Sequence, residues 1–369
     1  MAHLGNTILR FEVKFFLSAL LLICCATIAS ARQPLCAFRV ENIWYFLTED
    51  GKEMCKPMIL DGISHYSEGK FAARKRTKDT VYFAYFDING KELFKVNTSL
   101  PFQFKQGYAL TVKYFDEKGT QRLYGMIDST GKTIFDNVLP DALEFSDSHA
   151  YIDDYDKKGY INLDAEFAIQ IPDTLVGYRF SEGLAAVSNA EMKIGFINKS
   201  GEIVIPLKYY EAGIFSEGLC KVFGEDGFGF INKQGDLVIA HRFDEARNFF
   251  EDRAFVGILD DDYKLTWGFI DKDGRMIESY IYSNVLDFSE GLAAVQKDNY
   301  WGYIDKNGNT VIDFKYNDAD SFKNGLAFVV DRQNKKAGYI DKKGNFFITF
   351  NKFEILIDFR SNRKFFNFQ

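Results

Sequence analysis

The feature that most limits what this chain can fold into is a turn that recurs. A glycine closing a short polar turn stands at Gly51, Gly90, Gly131, Gly201, Gly235, Gly274, Gly308 and Gly344, with Ala165 in the same slot of a degenerate copy. The nine positions are 34 to 41 residues apart, and self-similarity at that period is the mark of a repeat array in which each unit buries its apolar face on its neighbours. The clearest copy is Phe288 to Ile312, FSEGLAAVQKDNYWGYIDKNGNTVI. Leu292 to Val295 and Trp301 to Ile304 are short apolar runs, and Asp305 to Gly308 leads to Val311 and Ile312. An Asp opening a tight turn bonds its own backbone, and a Gly three positions later takes positive φ without steric cost. The runs are too short for helices and read as three strands per unit.

Six residues before each turn position stands a second recurring site, occupied by Tyr45, Ala84, Gly125, Gly159, Gly195, Gly229, Gly268, Gly302 and Gly338. Glycine inside a strand forfeits packing, so it marks a bulge or a close backbone approach. Trp44, Trp267 and Trp301 precede it; a tryptophan recurring at one phase of a repeat reads as core rather than as a ligand platform. An FSEG lead-in opens the units at Phe180, Phe215 and Phe288, and a Tyr- or Phe-x-x-Ala link joins units at Tyr209 to Ala212, Phe243 to Ala246 and Tyr316 to Ala319. Ile205-Pro206 and Ile171-Pro172 end last strands or lie at an edge, because proline cannot donate to a ladder.

GFINKSGEIVIP (Gly195 to Pro206) and WGYIDKNGNTVI (Trp301 to Ile312) resemble the bacterial WG, or KWG, repeat family. The resemblance runs from about Cys36 to Phe350 and is strongest from Tyr178 onward, although the namesake Trp-Gly pair occurs only at Trp267-Gly268 and Trp301-Gly302. It implies a β-structured, often exported array, and it carries no catalytic residues. Three strands per unit and nine units both depart from the usual propeller of four to eight four-stranded blades. The expected fold is therefore an all-β, open or spiralling array of about nine three-stranded antiparallel repeats, with a closed propeller of seven or eight blades as the alternative.

Arg10 and Lys14 precede an apolar run from Phe15 to Ile28, and Ala29-Ser30-Ala31 gives a small-x-small cleavage pattern. The run falls short of the roughly 20 residues that span a bilayer, so residues 1–31 read as a signal peptide. Residues 32–350 form the repeat array, and 351–369 form a capping strand and tail. Formal net charge is −7 for the whole chain, which argues against nucleic acid as a partner. Of the five cysteines, Cys36, Cys55 and Cys220 remain in the mature chain; Cys36 with Cys55 is the nearest pair for a disulfide, and small buried hydrophobes are the competing reading.

The repeat leaves function to the segments where copies disagree, chiefly the loops between first and second strands. Binding candidates are the basic loop with Arg74, Lys75 and Arg76, the next loop with Tyr114 and Arg122, and the acidic loop with Asp260, Asp261 and Asp262. Ordinary solvated hairpin loops are the competing reading. No metal or cofactor is implied: Asp271 to Gly274 and Asp305 to Gly308 lack the spacing of a calcium loop, and no Cys-x-x-Cys, nucleophile elbow or phosphate loop occurs. These features favour an exported, non-catalytic binding or scaffold module for a protein, glycan or cell-envelope component. The alternative is a secreted hydrolase with a carboxylate-based site around His149 to Asp156 or Asp260 to Asp262.

Overall fold

The apolar runs of each unit form two central strands, such as Leu292–Lys297 and Tyr300–Asp305, in which every residue is buried or partly buried. Strands covered on both faces read as continuous apolar runs rather than alternating ones. The strand after the polar turn alternates instead: in Thr310–Tyr316 only Ile312 and Tyr316 are buried. It is the outer edge of its sheet, which explains how Pro206 is tolerated inside Ile203–Tyr209.

The computed structural model describes residues 34–41, 43–114, 122–154, 156–350, 355–358 and 363–366. They are all-β, in nine antiparallel sheets. Sheets 2 to 9 are consecutive in the chain (62–96, 100–139, 141–170, 176–209, 211–243, 245–282, 284–316 and 318–350) and have four strands each. The fourth strand is the unexpected one. The link between units contributes a two-residue strand, as at Glu211–Ala212 or Asn284–Val285, which pairs with the first long strand of the following sheet.

The open array expected from the sequence is not formed, and the ring has nine members rather than seven or eight. Sheet 1 is composite: Pro34–Val40, Ile43–Thr48 and Met58–Ile59 from the N-terminal side join Ile355–Asp358 and Lys364–Phe366 from the C-terminal side. Phe38 opposes Leu356 in an antiparallel register running from Cys36–Asp358 to Arg39–Ile355. Packing closes with it. An open row of nine sheets would have eight inter-sheet cores, but nine are present. The ninth sets Leu35, Cys36 and Phe38 of sheet 1 against Phe328, Tyr339 and Phe350 of sheet 9. Closure buries the apolar faces that the end units of an open array would leave in water.

The strand glycine performs both expected tasks. A Cβ on Gly268 would lie 2.4 Å from the Glu278 carbonyl oxygen, and pairing jumps from Trp267–Tyr282 to Phe269–Glu278 across a bulge. Trp44 is buried with its indole N–H donating to the Leu60 carbonyl at 3.2 Å, while Trp267 and Trp301 pack on inter-sheet cores.

Candidate functional site

Antiparallel order gives the ring two unlike rims. Turns between first and second strands share one rim with turns between third and fourth strands. Hairpins between second and third strands share the other with the connections between sheets.

On the first rim the FSEG lead-in becomes a clamp. Glu217 and Gly218 form a two-residue turn with φ of 55° and 86°, and positive φ at both central positions defines the hairpin turn that matches strand twist. A glutamate there costs roughly 1–2 kcal/mol of backbone strain. The carboxylate offsets it by reaching the next sheet, where Glu217 accepts the backbone N–H groups of Glu251 at 2.6 Å and Asp252 at 2.9 Å. Glu182 does the same to Glu217 and Gly218, Glu251 to Gly291, and Glu290 to Gly325. The serine hydroxyls donate one sheet onward, Ser181 to the Phe215 carbonyl at 2.7 Å and Ser289 to that of Phe322 at 2.7 Å. Lysines of the third–fourth turns complete the clamp: Lys233 pairs with Glu182 at 3.1 Å, Lys272 with Glu217 at 3.2 Å and Lys342 with Glu290 at 3.2 Å. Burial pushes the Glu182 and Glu290 carboxyls up, but the lysine and amide donors outweigh it and leave both below the usual glutamate range. Asn324 of sheet 9 donates to Glu49 of sheet 1 at 2.5 Å, carrying the girdle across the closure. This rim is thus largely committed to holding the ring together.

The candidate residues of the sequence all stand on or beside the second–third hairpins, which are the loops the three-strand reading numbers first–second, shifted by the added inner strand. Arg74, Lys75 and Arg76 end the strand Lys70–Arg76; Lys75 pairs with Glu92 at 3.1 Å and Arg76 with Asp61 at 3.0 Å. Tyr114 and Arg122 flank the hairpin of sheet 3, with the Arg122 guanidinium 5.4 Å from the Tyr124 ring centre. Asp260 closes its own loop by accepting the N–H groups of Asp262 at 3.0 Å and Lys264 at 2.9 Å, while Asp261 and Asp262 are exposed. All eight share the second rim, but their sheets differ: the basic group belongs to sheet 2 and the acidic group to sheet 7, on well-separated sectors of the ring.

The ring axis was not anticipated. A cavity of about 540 Å³ is lined by residues of four consecutive sheets: Leu143, Tyr178 and Arg179, Glu211 to Phe215, and Asn248. A second, of about 530 Å³, takes residues from sheets 1 to 4, including Ser64, Arg74, Phe102, Glu144 and Lys364. Side chains separated by a hundred residues share one cavity only where the first strands converge, at the centre. The position two residues before the lead-in Phe or Tyr lines this centre. It is Phe102, Leu143, Tyr178, Arg247, Leu286 and Asp320 in six copies, but the small residues Ser64 and Gly213 in two, and each cavity is lined by one of these two. Aligning the copies at that position is the sequence signal that finds them. Elsewhere the centre is filled by charge pairs. Arg247 grips Asp287 through two bonds of 2.6 and 3.0 Å, which raise its pKa above the usual guanidinium value against the opposing effect of burial. Arg363 of the C-terminal strand region meets Asp318 at 3.2 Å and Asp320 at 3.4 Å.

Within the His149 to Asp156 cluster weighed for catalysis, His149 and Asp153 stand apart. His149 sits beside the first-rim turn, its Nδ1 3.1 Å from the Asp147 carbonyl. Asp153 lies four residues along the same strand, roughly 13 Å away at strand rise, and pairs with Lys158 at 3.1 Å. Asp305 is a turn residue: it accepts the N–H groups of Asn307 and Asn309, each at 2.9 Å, and Gly308 has φ of 86°. Among the described residues no group of three or more His, Cys, Asp or Glu is placed to hold a metal, and no helix is long and apolar enough to cross a membrane. Cys36, Cys55 and Cys220 are thiols. Burial pushes Cys220 up to about 12 and Cys55 up to about 11, the behaviour of small buried hydrophobes. The signal peptide expected at residues 1–31 lies outside the described residues.

Nine four- or five-stranded sheets closed around a cavity-bearing axis make this a nine-bladed β-propeller. Four consecutive units match the model of the WG containing repeat, over residues 194–223, 228–258, 267–301 and 301–335, so this part of the chain is a run of WG repeats. No curated protein matches the sequence. Solved structures that are similar include BamB from Moraxella catarrhalis (13% identity, 61% of this chain and 79% of that one, TM-score 0.36). Citrobacter koseri AztD is 14% identical over 91% of this chain and 94% of its own, with a TM-score of 0.34. PorZ, a bacterial surface component of the type-IX secretion system of Porphyromonas gingivalis, is 10% identical over 89% of this chain and 53% of its own, with a TM-score of 0.31. Scores of this size carry neither fold nor function over to this chain.

Proposed function

We propose that the protein is an exported, non-catalytic binding module whose second rim engages a protein, glycan or cell-envelope component. The observation that carries this reading is the division of labour between the rims. The recurrent polar residues of one rim are spent on sheet-to-sheet bonds, whereas the hairpins that differ from copy to copy gather on the other. There the basic residues Arg74 to Arg76 and the acidic residues Asp260 to Asp262 stand on separate sectors, with Tyr114 and Arg122 beside the basic one. A bipolar rim of this kind selects its partner by charge and register, and its association weakens with salt.

The test is site-specific photo-cross-linking in native cells from Tyr114 and Tyr263 on the second rim, and from Ser200 on the first. The expected result is one adduct from the second-rim positions, lost when Arg74, Lys75 and Arg76 are changed to Glu. Adducts from Ser200 alone, or turnover of a glycosidic or ester substrate by the purified protein, would overturn the proposal.

A further inference from the structure

The axial cavity beside Gly213 has a property that ring closure does not require. Six other copies place a large or charged side chain at the equivalent inward position, and here the chain places none. A Cβ on Gly213 would lie 2.6 Å from Asn248 Oδ1 and 2.8 Å from Lys221 Cγ, so the site is shaped by glycine. Asn248 Oδ1 is buried without a hydrogen-bond partner, and a buried acceptor left unpaired is costly unless something supplies a donor. Arg179 stands exposed on the cavity wall and makes no ion pair among the described residues. The two acidic residues at the equivalent position of other copies are engaged: Glu144 pairs with Lys105 at 2.6 Å and Asp287 with Arg247. Glu211 and Lys221 neutralise one another at 3.2 Å, which leaves the site with one positive charge. The remaining wall is mostly apolar, with Leu184, Ala186, Ile194 and Phe196.

We propose that this cavity binds a small organic monocarboxylate with a flat apolar body and one N–H or O–H donor. The planar guanidinium of Arg179 matches a carboxylate at the mouth. The donor bonds the amide of Asn248, which lines the cavity and whose Oδ1 turns from Gly213 toward the ligand on binding, and the body displaces water from the apolar wall. The volume of about 540 Å³ lies in the range that holds such molecules. This site is separate from the second-rim surface, and either can fail without the other.

The test is isothermal titration of the 32–369 chain with indole-3-acetate, alongside tryptophol, which lacks the carboxylate, and 1-naphthaleneacetate, which lacks the N–H. Indole-3-acetate is expected to bind one site per chain with Kd of about 1 mM or tighter, and each analogue more weakly. Arg179→Gln should weaken indole-3-acetate about tenfold or more and leave tryptophol unchanged. Gly213→Leu should abolish binding of all three. Arg179 is exposed and unbridged, so its replacement keeps the test valid if Gly213→Leu does not fold. Absence of saturable binding, or equal affinity in wild type and Arg179→Gln, would overturn the proposal.

Discussion

Replacing Glu217 tests the clamp at its most informative point, because the residue combines an unfavourable backbone conformation with two bonds to the next sheet. Glu217→Ala keeps φ at 55° and removes the acceptor for Glu251 and Asp252. Hydrogen bonds to a charged group are worth about 1.5–3 kcal/mol each when buried, and partial exposure reduces the pair to about 2 kcal/mol in total. The Lys272 pair adds little, since both side chains are about one-third exposed. Glu217→Gly loses the same bonds but relieves about 1 kcal/mol of strain after its unfolded-state entropy is counted, for a net loss of about 1 kcal/mol. Urea unfolding followed by tryptophan fluorescence measures both, with the exposed second-rim Glu225→Ala as a control expected within about 0.5 kcal/mol of wild type. Glycine as damaging as alanine, or both variants indistinguishable from the control, would refute the clamp.

Three further outcomes follow from the same contacts. The folded-state carboxyls of Glu182 and Glu290 are held below the usual range, so their contribution is present above the ordinary glutamate pKa of about 4.3 and is lost as pH falls below it through the folded values. The urea midpoint should drop on acidification through that window and drop less in Glu290→Gln; an unchanged acid dependence would count against the clamp. Gly268→Ala drives a methyl to 2.4 Å from the Glu278 carbonyl and should cost about 1–3 kcal/mol by forced backbone movement, read as a lowered thermal midpoint. Truncation after residue 350 removes the strand Ile355–Asp358 that pairs with Pro34–Val40; it should produce a protease-sensitive, aggregation-prone edge, whereas unchanged resistance to limited proteolysis would contradict closure by that strand.

Much of the blade was legible in the sequence, for local reasons. Asp305 and Gly308 announce their turn through side-chain acceptance and positive φ, and Gly268 its bulge through the absence of a Cβ. The two-residue strand Glu211–Ala212 was not legible, because two residues carry no period and the ladder exists only once the next unit is in place. Closure was not legible either: Phe38 opposite Leu356 joins opposite ends of the chain, and no spacing encodes it. Glu217 looked like the tail of a lead-in because its partners lie a full repeat away. The candidate loops were found by their irregularity, but the axial cavity needed the missing strand first, since Gly213 faces the centre only when the link is recognised as the innermost element.

The central claim is that nine repeats close into a ring, and small-angle scattering of the 32–369 chain tests it most directly. A closed ring of this length should have a radius of gyration near the compact-globule value of about 20 Å. Nine sheets stacked in an open row at about 10 Å spacing would instead extend to about 90 Å, and a maximum dimension of that size would contradict the ring.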